Sequence, residues 1–84
     1  MKPIRLTRHA REQCVERGAT EAEVRQAVEQ GSREPAKIGR ELCGYNLPFR
    51  QTWQGRYYAI KQVAPVIKER AQEVVVITVY TFYF

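Results

Sequence analysis

The chain has 84 residues, with 14 Lys and Arg against 9 acidic residues, a net charge of +5 and a pI near 9.6. This length has room for one domain, residues 1–84, and excludes mechanisms that need two domains. Most of the cations are arginine, whose planar guanidinium binds phosphate through two parallel hydrogen bonds. The charge favours a polyanionic partner, although a basic surface that only confers solubility has the same composition.

Neither metal binding nor membrane insertion is predicted. Cys14 and Cys43 are far apart in the sequence and accompany a single histidine, whereas structural zinc needs four ligands. We expect no metal and no cofactor, and both cysteines to pack as small apolar side chains in a reducing compartment. The sequence has no cleavable apolar leader and no run of about 18 apolar residues, so we predict a cytoplasmic protein with no membrane partner.

The first predicted element is a helix that Thr7 caps and that ends at Arg17, with Gly18 as the left-handed residue after it. At 100° per residue, two adjacent stripes of side chains run along this helix. The apolar stripe contains Leu6, Ala10 and Cys14. The polar stripe contains His9, Gln13 and Arg17. The polar stripe therefore borders the buried face.

A second helix is predicted from Thr20 to the residue before Gly31. Thr20 and Glu23 have the spacing of a capping box, in which the side chain of each accepts a hydrogen bond from the backbone amide of the other. The apolar residues of this helix are Val24, Ala27 and Val28. They lie on one side, so the helix has one face to bury.

The middle of the chain predicts a β-hairpin after an irregular segment. In residues 32–44 glycine, proline and charged residues break any pattern, and we expect mostly loop with a short strand near the end. Residues 49–53 and 56–64 are typical of two strands joined by a tight turn at residues 54 and 55. Pro65 should end the second strand, because proline cannot donate to the ladder.

Residues 73–82 are the clearest strand in the sequence, since β-branched and aromatic residues dominate them. This segment is apolar on both faces, which is typical of a central strand. We therefore predict an α+β fold in which two N-terminal helices pack on a three- or four-stranded antiparallel sheet.

His9 is the candidate acid–base group, because histidine exchanges protons near neutral pH without special tuning. Cleavage of RNA by attack of the ribose 2′-hydroxyl needs such a proton transfer, together with cations that stabilise charge on the phosphate oxygens. Arg17 supplies a cation on the same stripe, and Gln13 lies between them as a hydrogen-bond partner. A lone histidine at a helix border also serves as a capping or packing residue, and spacing does not separate the two roles.

The hairpin interleaves cations with aromatic side chains, a pattern that binds single-stranded RNA through stacked bases and backbone phosphates. The candidate RNA-binding residues are Arg50, Arg56, Tyr58 and Lys61 of the hairpin, with Gln13 and Tyr80 from other elements. Alternation along a strand places Tyr58 and Lys61 on opposite faces. Ordinary cross-strand pairing on a half-exposed sheet produces the same pattern.

Thr78 and Tyr80 are polar interruptions of the last strand and share one of its faces. Threonine is also a common strand former, and tyrosine can bury its ring while exposing its hydroxyl. The strand ends in the apolar residues 81–84, which would suit self-association into a homodimer or contact with a partner protein.

Two segments resemble the domain-of-unknown-function 4258 family. Residues 9–18, His-Ala-Arg-Glu-Gln-Cys-Val-Glu-Arg-Gly, are similar to the H-A-x-x-R-x-x-x-R-G helix of that family. Residues 75–80, Val-Val-Ile-Thr-Val-Tyr, are similar to its final V-x-x-T-V-Y strand. The motifs occur in the order of the family and bracket nearly the whole chain. Gln13 stands where the family motif has arginine.

The resemblance implies membership of the barnase, EndoU, colicin and RelE/ParE-like superfamily, whose members pack N-terminal helices on a four-stranded antiparallel sheet. Many of them are metal-independent ribonucleases, and often toxins that an antitoxin protein inhibits. Carried over to the matching positions, His9 would be the acid–base residue, Arg17 the phosphate ligand and Thr78 a polar contributor. These three are the candidate catalytic residues. RNA, free or associated with the ribosome, would be the substrate.

Three functions stay open at this point. The leading hypothesis is a metal-independent endoribonuclease, the toxin of a toxin–antitoxin pair, that leaves a cyclic phosphate. A ParE-like toxin or inhibitor would instead bind a protein partner without cleaving RNA. A non-catalytic module would bind RNA with an affinity that depends on salt and leave the RNA intact.

Overall fold

In addition to a short 3-10 turn at Lys37–Gly39, residues 2–84, which the computed structural model describes, form two α-helices and five strands. In chain order these are β1 Ile4–Leu6, α1 Arg8–Arg17, α2 Glu21–Gln30, β2 Ser32–Pro35, β3 Glu41–Trp53, β4 Arg56–Glu69 and β5 Val74–Tyr83. The strands form one sheet in the order β1-β5-β4-β3-β2, in which β1 is parallel to β5 and every other pair is antiparallel. The predicted α+β class is confirmed, whereas the sheet has five strands and is mixed.

The sequence does not predict two of the five strands. β1 has only three residues and pairs in parallel with the start of β5. β2 lies in the segment predicted as loop, is exposed at all four positions, and pairs with the start of β3. β1 alternates apolar and polar residues over only three positions, and β2 does not alternate, so neither carries the signal that marks a strand in a sequence. β1 forms against a partner at the other end of the chain and β2 forms against the nearby start of β3, which is why the predicted strand count is wrong.

Pro65 does not end its strand, because β4 continues to Glu69. The residue is fully buried and pairs with Val79 of β5. Between β4 and β3, Val66 and Val63 are paired, but Ala64 and Pro65 between them are not. Pro65, which has no amide hydrogen, therefore lies where the pairing with β3 is interrupted and no donor to β3 is needed. This is how a proline is accommodated in an interior strand of the sheet.

The hairpin turn and both helices form where the sequence predicts them, whereas the strands of the hairpin are longer, because β3 begins at Glu41 and β4 ends at Glu69. Gln54 and Gly55 have φ angles of 51° and 82°, the left-handed conformation that a two-residue hairpin turn requires. Gly18 has a φ of 74° after the end of α1, and a Cβ there would lie 2.7 Å from the Trp53 ring. At α2, the Thr20 and Glu23 side chains form the predicted capping box.

Both helices pack on one side of the sheet, which we call the covered face, and we call the other side the open face. Residues that are directly opposite on neighbouring strands share a face. The buried cluster between the helices and the covered face contains Ile4, Leu6, Ala10, Cys14, Val24, Ala27, Val28, Cys43, Val63, Ile67, Val74, Val76 and Val79. Cys14 and Cys43 are free thiols buried among these apolar side chains, and this burial raises the pKa of both.

The predicted central position of the last strand holds only for its start, since β1 flanks β5 at Val74–Val76 and the rest of β5 pairs with β4 alone. Beyond the short β1, helix α1 runs along β5. The Thr7 amide donates to the Val76 carbonyl at 3.0 Å, and the Thr81 and Tyr83 hydroxyls donate to the Arg17 carbonyl at 2.9 and 2.7 Å. Within residues 2–84, neither helix is long and apolar enough to cross a membrane.

Candidate nucleic-acid interface

The candidate site begins with His9, which lies on the first turn of α1 and is exposed. Its Nε2 atom is 3.2 Å from the Oγ1 atom of Thr78 on β5. Two residues that are 69 positions apart in sequence, and that come from the two family-like motifs, therefore share a hydrogen bond. This bond orients the imidazole and leaves its other nitrogen, Nδ1, to exchange a proton with a substrate.

A bulge in β5 places Thr78 beside His9. The register of β5 against β4 shifts between Val76 and Thr78, which leaves Ile77 without a partner on β4. The Thr7 side chain caps α1 and also donates to the Ile77 carbonyl at 3.1 Å. The start of α1 is thus tied to the bulge itself, and bulges commonly redirect side chains near functional sites.

Arg17 lies at the other end of the polar stripe of α1 and is half-buried. Its Nε donates to the Gln13 Oε1 at 2.6 Å, and its Cζ lies 5.1 Å from the centre of the Tyr80 ring. Among residues 2–84, no carboxylate forms an ion pair with this guanidinium. The cation is therefore held in place by an amide and an aromatic ring while its charge stays available to an anion.

These contacts form two pairs of predicted site residues along β5. Thr78 and Tyr80 share the open face of this strand, where Thr78 meets His9 and Tyr80 meets Arg17, both from α1. Gln13 does not face an incoming ligand directly, because its amide binds Arg17 and also donates to Glu16 at 3.2 Å. The arrangement sets an acid–base group and an uncompensated cation along one strand, which is the minimum for binding and activating a phosphodiester.

Lys61 lies on the covered face and does not fit its predicted RNA-binding role. It is 5% exposed, and its ammonium donates to the Gly18 carbonyl and to a carboxylate oxygen of Glu23, both at 2.9 Å. Removing such a buried ion from its partner would leave an unpaired charge. Lys61 therefore joins the hairpin to the connection between the helices.

Tyr58 also departs from its predicted place. The amides of Ala59 and Ile60 both donate to the Phe84 carbonyl, at 2.8 and 3.2 Å, and this doubled pairing interrupts the alternation of β4. Tyr58 consequently turns to the side of Tyr83, with ring centres 5.4 Å apart. There it belongs to an aromatic cluster with Phe49, Trp53 and Tyr83, which packs at the end of α1. The ring supports the fold and is half-buried.

Arg50 and Arg56 are exposed at the far end of the hairpin. Arg50 has a φ of 50° at the irregularity of β3, and Arg56 follows the turn. No ion pair within residues 2–84 involves either cation. They remain candidates for contacts with a long polyanion, separate from the group around His9.

Sequence reasoning missed a second group of cations on the open face, formed by Arg40, Lys68 and Arg70. Together with Arg5, Thr7, Ile38, Val75 and Ile77 they line a cavity of about 370 Å³. Thr7 and Ile77 connect this cavity to the His9–Thr78 pair. In the sequence, the only sign of this cation group is that Lys68 follows Ile67, which is buried, so that Lys68 faces the opposite side of the strand. The prediction that this strand ends at Pro65 left Lys68 outside it.

Within residues 2–84, no group of three or more His, Cys, Asp and Glu side chains is placed to hold a metal ion. Comparisons of the chain with protein-family models, with curated proteins and with solved structures found no match.

Proposed function

We propose that this chain is an endoribonuclease that cleaves RNA without a metal ion. The observation that carries the proposal is the exposed His9 imidazole bonded to Thr78, which shares the open face of β5 with Tyr80, the ring that Arg17 contacts. The resemblance to a family within the RelE/ParE-like superfamily supports the same activity. On this proposal the chain is a cytoplasmic toxin, RNA is its substrate and an antitoxin protein is its inhibitor.

The proposed reaction needs only one proton carrier. The His9 imidazole accepts the proton of a ribose 2′-hydroxyl as the 2′-oxygen attacks the adjacent phosphorus. The bond from phosphorus to the 5′-oxygen then breaks, and the imidazolium returns a proton to that leaving oxygen. The products are a 2′,3′-cyclic phosphate and a free 5′-hydroxyl, so atoms and charge balance. The Arg17 guanidinium stabilises the charge that develops on the phosphate oxygens.

Thr78 acts on the orientation of the imidazole. When Nε2 of His9 carries the proton, it donates to the Thr78 hydroxyl and Nδ1 is the free base. Fixing the ring in this way limits the orientations that the reactive nitrogen can adopt. Tyr80 holds the Arg17 guanidinium over its ring and so limits the conformations of that cation.

The test is incubation of the purified chain with single-stranded RNA in EDTA, followed by analysis of the product ends. Wild type should yield 2′,3′-cyclic phosphate ends. His9→Ala should lower the cleavage rate by about 100- to 10,000-fold, since that is the usual contribution of a general acid–base group. The matched control is Arg8→Ala, because Arg8 is the neighbouring residue and its side chain is 93% exposed. Equal rates in wild type and His9→Ala, or equal losses in both variants, would contradict the proposal.

A second candidate function, binding to a protein partner, is favoured by one separate observation. Ile60, Phe82 and Phe84 are apolar yet 40%, 46% and 63% exposed, and the Phe84 amide donates to the Ile60 carbonyl at 2.9 Å. Such a cluster suits an antitoxin, a target protein or a second copy of the chain. Growth arrest on expression of His9→Ala, with cellular RNA intact, would select this function over cleavage.

A further inference from the structure

We propose that the cavity lined by Arg40, Lys68 and Arg70 is a second phosphate subsite, which binds single-stranded RNA beside the phosphodiester at His9. The inference rests on the proposed function and extends it from one phosphate to a defined path for the strand. We call these three residues the cation cluster.

The register of the sheet places the cation cluster on the open face. Lys68 of β4 is paired with Val75 of β5, and Val75 is paired in turn with Arg5 of β1, so their side chains share one side. The Lys68 ammonium lies over the turn before β3, since a Cβ built on Gly39 would be 3.5 Å from its Nζ. Arg40 follows that glycine directly. The cations of the cluster thus come from two segments of the chain, the turn before β3 and the end of β4 with the residue after it.

The cation cluster forms no direct ion pair within residues 2–84. The neighbouring Arg5 is neutralised by Glu73 at 3.0 Å, and Arg70 is near enough to the same carboxyl to help lower its pKa. Arg40 and Lys68 are therefore the cations of the cluster whose charges are least balanced. Like charges that converge on one cavity repel one another, and a bound anion removes that cost. Guanidinium and ammonium groups together are the side chains that bind phosphate most readily.

The cation cluster is also continuous with the proposed site of cleavage. Thr7 and Ile77 line the same cavity, and these residues tie the start of α1 to the bulge that presents Thr78 to His9. Val75 and Thr78 are three residues apart, or about 10 Å along a strand. A single strand that follows β5 can therefore place one phosphate at His9 and a flanking phosphate in the cavity.

Ile38 adds a second feature to this cavity. It is a β-branched residue with a φ of 61°, its side chain is 80% exposed, and it lines the same wall as Arg40. Left-handed conformations of β-branched residues are strained and are concentrated at sites that bind ligands. An exposed apolar side chain beside phosphate-binding cations offers a surface for the ribose or base attached to that phosphate.

The test measures binding separately from cleavage, by using His9→Ala protein and a fluorescently labelled oligouridylate of eight nucleotides at several salt concentrations. Added to this background, Lys68→Gln or Arg40→Gln should each weaken binding about 10-fold at low salt, the value of a charge-assisted hydrogen bond. Each should also reduce the slope of log affinity against log salt by about 0.7, the loss of one phosphate contact on a single strand. Arg8→Gln, which removes the same charge from an exposed position outside the cavity, should change affinity less than 2-fold.

Each outcome decides the inference. Equal effects of Lys68→Gln and Arg8→Gln would overturn the inference, because only net charge would then matter. Unchanged binding in all variants, or no binding of the oligonucleotide by the parent, would also overturn it. The variants must unfold at the same denaturant concentration as the parent, which excludes a loss of structure. Selective weakening by Lys68→Gln with no cleavage by the wild-type chain would support the subsite and refute the nuclease. Cleavage of RNA by the wild-type chain, with a binding affinity that does not change in Lys68→Gln, would support the nuclease and refute the subsite.

Discussion

Lys61 and Lys68 lie seven positions apart on the same strand, and the sheet treats them in opposite ways. Lys61 on the covered face is buried and is neutralised by Glu23 and a backbone carbonyl. Lys68 on the open face is exposed and has no ion-pair partner within residues 2–84. A buried charge is costly unless it is paired, whereas an exposed charge is solvated by water and stays accessible to a ligand. The covered face therefore supports the fold, and we assign binding to the open face.

The largest effect should come from truncating the same residue type on the two faces. Ile67 is fully buried on the covered face, and Ile60 is 40% exposed. Ile67→Ala should lower the free energy of unfolding by about 2–5 kcal/mol, because it removes buried methyl groups and leaves a cavity. Ile60→Ala should lower it by less than about 1 kcal/mol. Urea unfolding of both variants measures the difference, and equal losses would contradict the division into two faces.

The two lysines themselves provide the second comparison. Lys61→Gln should lower the free energy of unfolding by about 1–3 kcal/mol, because Glu23 and the Gly18 carbonyl lose their shared charged donor. Lys68→Gln should change it by no more than about 0.5 kcal/mol, as expected for an exposed residue without a partner. For affinity to RNA the order should reverse. A stability loss in Lys68→Gln as large as that in Lys61→Gln would show that both serve the fold.

A smaller effect should separate Thr78 from an ordinary strand threonine. Thr78→Val keeps the shape of the side chain but removes the hydroxyl bonded to His9, so RNA cleavage should fall about 3- to 10-fold. Thr52→Val is the matched control, since Thr52 is an exposed threonine in β3. The free energy of unfolding should be nearly the same in both variants. Cleavage rates that fall equally would remove Thr78 from the site.

The smallest effect concerns the ion pair at the edge of the open face. The hydrogen bond from Arg5 lowers the pKa of the Glu73 carboxyl. At a pH near the ordinary carboxyl pKa, the folded chain therefore binds fewer protons than the unfolded chain. The resulting contribution to stability is present at neutral pH and is lost as the pH falls through the lowered pKa of Glu73. Glu73→Gln should show a weaker loss of stability between pH 7 and pH 3 than the parent. Glu29→Gln, at an exposed position of α2, should lose as much stability as the parent.

The candidate site could be predicted only in part. The helical period placed His9, Gln13 and Arg17 on one stripe, and the resemblance added Thr78 from the end of the chain. Tyr58 and Lys61 were assigned to RNA because cations and aromatic residues interleave along the hairpin, although regular alternation would place the two on opposite faces. The doubled pairing of Ala59 and Ile60 with Phe84 changes that alternation, and such a bulge depends on the partner strand.

The sequence by itself determined the local features of this protein. The caps at Thr7 and Thr20, the helix end at Gly18 and the hairpin turn at residues 54 and 55 each depend on side chains within a few positions, so their signals are contained in short segments. The helix-forming and strand-forming halves of the chain follow from the same local preferences.

Only the tertiary structure decided which distant segments meet. The pairing of β1 with β5, the passage of β4 through Pro65, the bulge beside Thr78 and the convergence of Arg40 with Lys68 and Arg70 all depend on contacts between residues far apart in the chain. Their energies come from burial and from hydrogen bonds across strands, which short-range patterns do not record. The same long-range pairing places Lys61 on the covered face, which packs against the helices, and Lys68 on the open face, which we propose binds RNA.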